Sequence, residues 1–591
     1  MDVERGLLIV RKRKNRGPLI IIRLGEKEMN VRDGEVSKSV LDRLTELADK
    51  EVEFERVGGQ PTKIREIGGS FIPPGRQVGD GDRGAGGKGR RDRFETNRPK
   101  GKEDHGKAPH SHQGDFHNPY NFVPAPPRNV KDPDLGDCPP VDQDKFLADR
   151  YTGSIRVRMT VKTPLLVPGT EPEHVQKSTN GHQTYPLRVD ADGKPLIPAS
   201  SVRGMLRCAY EAITNSRFGR FSESHKQKHK YRESQKPYRK VEFPASVWDL
   251  LDESLRPATA IDELSPADRV FGWVKVDGKK GREGTEQVAV RGLLRVGRVR
   301  CESSKSDAAE LFPPPGIPLA ILSTPKPQQG RFYVAKSKNG EAQEDRLSKQ
   351  QAGYSEDKAL RGRKVYPHQK SLPKGYWENP TEDRTQQAQG TPPHYKEFRR
   401  LQEKRDDQNR SILGWVKLGA RFSFDLHVLN LSEAELGAML WLLTMPEDCF
   451  LRFGSGKPFG FGSVRLEIES SDLRNWNELR DRYTAWHQEE PPKDPRTDAT
   501  KKFKDALARV YSLKNGGFDQ VSFIKAFLTA CRGYGDDLPV RYPRTSDAPN
   551  PDGESYRWFV ANERKGAQYA LPNLTEDQGL PTLQDGGAEG R

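Results

Sequence analysis

The sequence predicts an α+β protein, in which a ferredoxin-like sheet with large insertions follows a small all-β barrel and a disordered linker. Three observations predict this class. Short apolar stretches separated by polar turns fill residues 1–67, and strands and helices follow one another over 150–470. The segment between these two regions has no apolar periodicity. We expect a helical extension at 471–575 and a disordered tail at 576–591.

The composition favours a nucleic-acid-binding protein of several domains. The chain has 591 residues, which suggests roughly three to four domains. Its 99 Lys and Arg outnumber 84 Asp and Glu, and the formal charge of +15 favours a polyanionic partner, nucleic acid first. Only 33% of the residues are hydrophobic, so part of the chain is expected to lie outside any core.

The cysteines and the apolar runs argue against several classes of protein. The five cysteines are scattered without a CxxC pair, so the sequence predicts neither a zinc ribbon nor a disulfide framework, and we expect no metal and no other cofactor. The first residues lack the layout of a signal peptide, and no apolar run approaches the length of a membrane span. The sequence therefore predicts a cytoplasmic protein without a membrane partner.

Residues 3–67 are predicted to form three strands, a short helix and two further strands. Short strands with polar turns in so small a segment indicate a closed barrel of the OB or cold-shock kind. Five basic residues cluster at its first hairpin: Arg11, Lys12, Arg13, Lys14 and Arg16. Such barrels often meet single-stranded nucleic acid with basic surfaces of this kind. A solvated basic hairpin explains the cluster equally well.

Residues 68–142 are rich in Gly, Pro, Arg and Asp, which predicts a disordered linker. An Arg/Gly composition adds weak RNA affinity that does not depend on sequence. Four histidines fall in this segment: His105, His110, His112 and His117. Without ordered neighbours, a solvated tract is favoured over a metal site.

The region 150–470 begins with a strand and a helix. In "GSIRVRMTVKTPLLVPG" apolar residues alternate with Arg and Lys, which predicts a strand with one wet, basic face. In "KPLIPASSVRGMLRCAYEAI" we expect Ser200 or Ser201 to cap a helix, with Arg203 and Arg207 one turn apart beside the apolar stripe. This helix start suits a backbone phosphate, and it equally suits an ordinary capped helix.

Basic residues are dense at 217–240, beginning with Arg217 and Arg220. Because this run lies inside a folded domain and contains tyrosines, RNA contact is favoured over simple solvation.

The elements predicted after this helix follow the order of a ferredoxin-like fold. Two further strands are predicted at 267–276 and 287–302, and a long insertion follows at about 302–410. A strand, a serine-capped helix and a last strand then complete a βαββαβ pattern. Helices near 500–512 and 517–531 are predicted beyond it.

The stretch "LRFGSGKPFGFGSVRL" at 451–466 crowds four glycines around Lys457. It is not a P-loop, because Pro458 follows Lys457 where Ser or Thr is required. Apolar and charged residues alternate beyond it, so the loop leads into a strand and not into the helix of a dinucleotide site. Glycines can turn backbone N–H groups toward an anion, with Lys457 adding charge. A tight turn without a ligand is the alternative.

Three motifs in order resemble the CRISPR-associated RAMP superfamily of type III effector subunits. "KPLIPASSVRGMLRCAYEA" at 194–212 is similar to its strand-to-helix signature, and "FGSGKPFGFGSV" at 453–464 to its terminal glycine loop. "RVFGWV" at 269–274, with "RGLLRVGRV" after it, is similar to the Phe-Gly turn and return strand of the family. "LRGRKVYPH" at 360–368 resembles a single-copy branch that bears a cold-shock-like barrel. The resemblance spans about 150–570.

The resemblance implies an RNA-binding subunit of a type III-like antiviral effector complex. The helix and the glycine loop would grip the backbone of a guide RNA, while base pairing with a target RNA supplies specificity. The expected partners are guide RNA, target RNA and other effector subunits. Together with basic positions between the motifs, it nominates the RNA-binding residues Ser200, Ser201, Arg203, Arg207, Arg217, Arg220, Arg361, Arg363, Gly454, Gly456, Lys457 and Gly460.

An endoribonuclease is the first alternative. Several family members cut target RNA with an aspartate in the loop before the Ser-Ser helix. Here the approximate place of that aspartate holds His182, and Asp190 and Asp192 come later, in a predicted hairpin turn. His182 and Asp190 are therefore the weak candidates for target cleavage.

Processing of a guide-RNA precursor is the second catalytic route, since acid-base chemistry needs a His or Tyr near a 2′-hydroxyl. The candidate pairs are His182 with Tyr185 and Tyr366 with His368. A stand-alone cold-shock-like RNA-binding protein is the remaining alternative, in which residues 1–70 alone would carry most of the affinity.

Overall fold

The computed structural model of the chain describes residues 3–13, 16–31, 35–57, 60–69, 71, 114–171, 175–219, 221, 226–232, 240–275, 288–322, 326–382, 390–484, 486, 493–512, 517–550, 555–564 and 566–584. The chain divides into two compact units, Met1–Lys102 and Glu103–Arg591. Among the described helices, none combines the length and the apolar character that crossing a bilayer requires.

The first unit is a five-stranded sheet with two short helices, and its elements follow the predicted order. They are β1 (Val3–Arg13), β2 (Arg16–Leu24), β3 (Lys27–Asn30), α1 (Lys38–Asp42), α2 (Leu44–Leu47), β4 (Glu51–Val57) and β5 (Gln60–Arg65). The strand order is β3-β2-β1-β4-β5, and all of these pairs are antiparallel. Beyond β3, Val36 pairs in parallel with Ile64 of β5, so the two edges of the sheet approach each other.

The interior of the first unit is formed by apolar side chains from every strand, Leu8, Ile22 and Phe54 among them. Of the basic hairpin residues, Arg11 pairs with Glu28 at 2.9 Å. The side chains of the other four lie outside the described residues.

The second unit contains the remaining elements. Up to residue 301 they are β6 (Asn121–Val123), β7 (Arg150–Val161), β8 (Gln176–Lys177), β9 (Gln183–Tyr185), α3 (Ala199–Ile213), β10 (Lys230–Arg232), β11 (Lys240–Glu242), α4 (Pro266–Phe271), β12 (Trp273–Val274), β13 (Ala289–Val290), β14 (Leu294–Val296) and β15 (Arg300–Cys301). Beyond it they are α5 (Lys305–Ala308), β16 (Ala309–Leu311), β17 (Ile317–Pro318), α6 (Gly330–Tyr333), β18 (Val334–Ala335), β19 (Ala359–Leu360), β20 (Arg363–Val365), β21 (Arg410–Ile412), β22 (Gly414–Val416), β23 (Arg421–Ser432), α7 (Glu433–Leu443), β24 (Leu451–Arg452), β25 (Ser463–Arg474), α8 (Trp476–Thr484), α9 (Arg496–Tyr511), α10 (Ser522–Arg532) and α11 (Ser555–Ala561).

The largest sheet has the strand order β14-β23-β7-β25-β24, and β15 also pairs with β23. All of these pairs are antiparallel. In the central strand β7, Val157 lies opposite Phe424 of β23 and Ile468 of β25. The apolar residues of β7 are buried at every second position, as their alternation in the sequence predicts.

Helices α3 and α7 share one core with the buried face of this sheet. Helix α3 buries the apolar stripe that its sequence predicts, including Val202, Leu206 and Tyr210. Helix α7 starts at a capping box between Ser432 and Glu435 and is buried almost all round, because α9 packs against it as well as the sheet.

The opposite face of the central strands is charged but internally paired. Arg156 of β7 pairs with Asp425 of β23 at 2.9 Å, and Arg158 pairs with Glu469 of β25. The basic face predicted for this strand is therefore matched by carboxylates from both neighbouring strands.

The linker prediction of 68–142 is wrong for residues 114–142, which pack into the second unit. Phe116 is fully buried and forms an antiparallel bridge with Leu580, so the predicted disordered tail is also packed as far as residue 584. Each of these apolar residues packs against a distant part of the chain, and such contacts leave no local periodicity in the sequence.

His117 is the one histidine of that segment within the described residues. Its ring nitrogens lie 2.8 Å from Asp536 and 3.1 Å from Asp577, and its ring stacks on Tyr534. Burial alone would lower the pKa of His117, but the hydrogen bonds to the two carboxylates outweigh burial and raise the pKa to about 9.

The strand predicted at 267–276 is also wrong in its first half, where the chain forms helix α4. Ser265 and Asp268 form a capping box, and Pro266 occupies the first turn. These local hydrogen bonds favour a helical turn over an extended chain, and the strand β12 begins only at Trp273.

The insertion at 302–410 forms short strands and turns that pack against the glycine loop. Strand β21, just after the insertion, pairs in parallel with β9. Phe398 of the insertion, Trp415 of β22 and Phe461 of the glycine loop belong to one aromatic cluster. The insertion therefore supports the loop from within the same unit.

Candidate nucleic-acid interface

Helix α3 and the glycine loop line one cleft, although they are far apart in the sequence. The cleft has a volume of about 670 Å³. Helix α3 contributes Ser201, Gly204, Cys208 and Glu211, which recur every three or four residues and so share one face. The loop contributes residues from 450 to 457, and residues 363–366 form a further wall.

The serines at the start of α3 do not cap it, contrary to prediction. Pro198 is the N-cap residue, and the amide of Ser201 donates to the carbonyl of Pro198 at 3.0 Å. Both serines lie in the first turn and are exposed, and Ser201 lines the cleft. Their hydroxyl groups remain on the surface because the proline already fixes the extended backbone before the helix.

The two arginines of α3 lie on another face and contact the protein itself. Arg203 donates to the carbonyl of Phe271. Arg207 donates to a backbone carbonyl at 2.8 Å and pairs with Asp268 at 3.0 Å and with Glu211 at 2.7 Å. Because two carboxylates neutralise Arg207, these side chains fasten α3 to α4 and lie outside the wall of the cleft.

The glycine loop is a turn whose shape favours glycine. The φ angles lie between 69° and 93° at its four glycines, Gly454, Gly456, Gly460 and Gly462. At Gly462 a Cβ would lie 1.9 Å from the carbonyl oxygen of Phe453, which excludes any side chain. The amides of Gly460 and Gly462 donate to carbonyls of the protein at 3.1 and 2.8 Å, so these two amides are used to hold the turn.

Two cationic side chains come from this loop. Arg452 donates to the carbonyl oxygens of Lys457 at 2.9 Å and Gly460 at 3.5 Å, and also to the hydroxyl of Ser463. Burial lowers the pKa of Arg452 to about 9. Burial, and then the charge of Arg452, lower the pKa of Lys457. The loop therefore presents two partly desolvated cations at one wall of the cleft.

Two further cationic side chains come from β20. Arg363 is buried and donates to Asn215 at 3.1 Å and to the carbonyl of Ser216. Lys364 is half-buried, with its ammonium 3.7 Å from the ring centroid of Tyr120. Burial lowers the pKa of Lys364 to about 8 and that of Arg363 to about 10.

The cleft has an excess of positive charge. Within the described part of the chain, no carboxylate lies within ion-pair distance of the four cations Arg363, Lys364, Arg452 and Lys457. Among the described residues that line the cleft, Glu211 is the one carboxylate; it is paired with Arg207, and burial raises its pKa. Uncompensated buried cations are costly, so a site of this kind favours an anionic ligand.

Two other predicted RNA-binding positions, Arg361 and Arg217, lie outside the cleft. Arg361 is buried and donates to the carbonyls of Leu571 and Pro572. Arg217 is buried and pairs with Asp137 at 2.7 Å. Both side chains are used in internal packing, which local charge density could not reveal. Arg220 lies outside the described residues.

The catalytic candidates His182 and Asp190 are both engaged in structural contacts. The ring nitrogens of His182 lie 2.9 Å from the carbonyl oxygen of Asp406 and 2.8 Å from the hydroxyl of Ser411, and the residue is buried. The carboxylate of Asp190 accepts the amides of Asp192 and Lys194, as in the predicted hairpin turn. The contacts of both groups therefore hold local structure.

The structure separates the two members of the second candidate pair, Tyr366 and His368. Tyr366 lines the cleft, and burial raises its pKa. His368 is buried beyond it, with Nδ1 2.7 Å from the hydroxyl of Ser463. Burial and then Arg452 lower the pKa of His368 to about 3, so this histidine stays neutral. Among the described residues, no group of His, Cys, Asp or Glu is arranged to hold a metal ion.

Sequence reasoning missed Lys364 and Arg452 in the cleft. Both lie inside motifs that it had singled out, the stretch 360–368 and the glycine loop. Lys364 directly follows Arg363, a predicted RNA-binding position, so the run of basic residues at 361–364 was the available signal. Arg452, in contrast, precedes the first glycine and gives no signal of its own.

The fold and the cleft define an α+β protein with a basic surface between a helix and a glycine-rich turn. A family model described as the RAMP superfamily matches residues 158–465, more than half of the chain. The chain therefore belongs to the RAMP superfamily. The matched segment contains α3 and the glycine loop, the two elements that line the cleft.

Two solved structures are similar to the chain at low sequence identity. A chain titled "Type IV-B CRISPR Complex" is 14% identical with a TM-score of 0.22, over 58% of this chain and 96% of that chain. The crystal structure of Thermofilum pendens Csc2 is 11% identical with a TM-score of 0.22, over 67% of this chain and 84% of that chain. Similarities at this level carry no argument about function. No curated protein matches the chain significantly.

Proposed function

We propose that this protein is an RNA-binding subunit of a type III-like CRISPR effector complex, and that its cleft holds the sugar-phosphate backbone of a guide RNA. The observation that carries the proposal is the convergence of Arg363, Lys364, Arg452 and Lys457 on one cleft without carboxylate partners among the described residues. Membership of the RAMP superfamily supports RNA as the polyanion.

The chemistry of the cleft suits a backbone and not a base sequence. Lysine ammonium groups act as point charges that bind phosphate oxygens in many orientations. Contacts to phosphate position a strand without reading its bases, so sequence recognition would be left to pairing with the target RNA.

The fold supports two finer assignments within the proposal. In chain order β7, α3, β14, β23, α7 and β25 give the pattern βαββαβ, and their strand order supports a ferredoxin-like core. In the first unit, the parallel pairing of Val36 with Ile64 supports closure into an OB-like barrel.

Equilibrium binding of the full chain to single-stranded RNA tests the proposal. We expect affinity to fall steeply with salt, with a slope of about −0.7 for each phosphate contact. The double variant Lys364→Ala/Lys457→Ala is expected to reduce the slope by about 1.4 and to weaken binding at least tenfold.

A matched control removes the same charge elsewhere. Arg295 and Arg298 are exposed near the opposite edge of the large sheet and line none of the cavities around the glycine loop. Arg295→Ala/Arg298→Ala is expected to change RNA affinity less than threefold. An equal loss in both double variants would show that the cleft is not the binding site.

The CRISPR part of the proposal has a separate test. The protein is purified with the nucleic acid that accompanies it, and that nucleic acid is sequenced. RNA of defined length with a common repeat-derived end supports a guide-bound subunit, whereas cellular RNA of random sequence supports the stand-alone RNA-binding alternative.

A further inference from the structure

Three cavities adjoin one another around the glycine loop. The basic cleft shares Leu166, Val167, Pro168 and Ser455 with a second cavity of about 360 Å³, which we call the recess. The recess shares Ala320 and Gln408 with a third cavity of about 400 Å³, which we call the far cavity. The shared residues place the three cavities side by side along the loop, and we call this series of cavities the groove.

The loop itself lines the groove along its whole course. Ser455 and Gly456 line the recess, and Pro458 and Phe459 line the far cavity. The single-turn helix Lys457–Phe459 lies between two glycines of left-handed backbone, Gly456 and Gly460, which hold it in place. The loop therefore separates two basic cavities and leaves the recess as the passage between them.

The recess is mainly apolar. Its lining includes Tyr185, Leu319, Leu322 and Ile412. Arg410 also lines it, with its guanidinium donating to the backbone carbonyls of Asp407 and Asn409. Leu322 is 45% exposed and Tyr185 is half-buried, so this apolar surface faces solvent. An apolar recess between two cationic cavities suits a ligand whose phosphates carry planar side groups on the chain that joins them.

The far cavity again has an excess of positive charge. Its lining contains five cationic side chains, Lys326, Arg399, Arg400, Arg541 and Arg544. Among the described residues of its lining, Glu397 is the one carboxylate, and it pairs with Arg544 at 2.7 Å. Arg399 pairs with Glu403 and Arg400 with Asp406 at 3.4 Å, so Lys326 and Arg541 carry the excess charge. Arg541 lies over the ring of Phe116 and donates to the hydroxyl of Thr582 at 2.9 Å. Burial, and then the charge of Arg544, lower the pKa of Arg541 to about 9.

We infer that the RNA bound by this protein is a single strand that follows the groove around the glycine loop, with phosphates in the two basic cavities and one nucleobase in the recess against Tyr185. This inference rests on the function proposed above and adds the form of the ligand. The bases of a double helix are paired and stacked, so a duplex cannot place a base in the recess without opening. A single strand presents bases that stack on aromatic side chains of this kind.

The contribution of the base is measured with three ligands of equal length: single-stranded RNA, a ribose-phosphate strand without bases, and double-stranded RNA. We expect the wild-type chain to bind single-stranded RNA about tenfold more tightly than the strand without bases, since stacking of one base contributes that much. Tyr185→Ala/Leu322→Ser is expected to remove this difference and leave the affinity for the strand without bases unchanged. Leu418→Ser, at a side chain 60% exposed outside the groove, is the matched control.

The path of the RNA strand to the far cavity is tested with strands of different lengths. Lys326→Ala is expected to weaken binding of long strands severalfold and to have no effect on strands too short to pass the recess. Lys501→Ala, at an exposed lysine of helix α9, is expected to affect neither. Crosslinking of a photoactivatable uridine to Tyr185 would locate the base directly.

The outcomes separate the inference from the proposed function. Equal binding of RNA and of the strand without bases, with no effect of the recess variants, overturns the inference and leaves the backbone-binding cleft intact. Preference for double-stranded RNA also overturns it. Failure of the wild-type chain to bind any of the three ligands overturns the proposed function itself.

Discussion

The cleft and the open face of the large sheet are both rich in arginine and lysine, but they differ in how that charge is balanced. On the open face, Arg156 and Arg158 of the central strand are paired with Asp425 and Glu469. In the cleft, Lys364 and Lys457 have no such partner among the described residues. The comparison shows that the number of basic residues on a surface does not give its uncompensated charge, which depends on the carboxylates that pair with them.

The largest effect is expected from a substitution that distorts the backbone of the glycine loop. Gly462→Ala adds a Cβ within 1.9 Å of a carbonyl oxygen at a φ of 80°. We expect the free energy of unfolding to fall by at least about 3 kcal/mol, with loss of RNA binding. Chemical denaturation and RNA titration measure both quantities.

Gly419→Ala is the matched control for this prediction. Gly419 also has a positive φ, but an added Cβ would meet nothing within 4 Å. A cost of about 1–2 kcal/mol with RNA affinity unchanged is expected. If Gly462→Ala lowers the free energy of unfolding no more than Gly419→Ala does, close packing of the loop does not stabilise the cleft.

The next effect tests charge in the two regions directly. Lys457→Glu places a negative charge among the unpaired cations, and we expect RNA affinity to fall about a hundredfold at moderate salt. Arg158→Ala on the open face removes a cation that Glu469 already balances, and a change of less than twofold is expected. A larger effect for Arg158→Ala would mean that the RNA lies on the sheet.

A smaller effect follows from pH. Burial lowers the pKa of Lys364 to about 8, so in the free protein Lys364 loses its proton as the pH rises through this value. RNA affinity at constant salt is therefore expected to fall about threefold between roughly pH 7 and pH 9. In Lys364→Gln the profile should be flatter, whereas Lys501→Gln should keep the slope of the wild type.

The smallest effect is expected from a variant that gives the open face of the sheet unpaired positive charge, as in the cleft. Glu469→Gln removes the carboxylate that balances Arg158 and lies 3.8 Å from Arg156. We expect RNA affinity to rise about twofold, since the open face then gains unpaired positive charge. An unchanged affinity, measured by competition with wild type, would show that the pairing of charges affects RNA binding in the cleft and not on the open face.

Much of the fold could be predicted because it depends on local patterns. The alternation of β7, the capping serine of α7 and the glycines before β25 are all visible within a few residues. The balance of charge could not be predicted in this way. Arg207 meets Asp268 across 61 positions of sequence, and Arg156 meets Asp425 across 269. Only the folded chain shows which cations are already paired.

The same limit explains the error at residues 114–142. Aromatic and polar residues there are spaced irregularly because each packs against a different distant segment, Phe116 against Leu580 and His117 against Asp536 and Asp577. A sequence pattern reports on the faces of single elements, and in this segment, all of which is described, the short strand β6 is the one helix or strand. From the sequence alone, its glycines and prolines therefore predict disorder.

The bridge between Phe116 and Leu580 brings the first and last described stretches of the second unit side by side. A circularly permuted version of this unit, with a short tether from residue 584 to residue 114 and new ends in an exposed turn, should therefore keep its architecture. Such a permutant would allow labels to be attached at new positions without disturbing the seam where the two stretches meet.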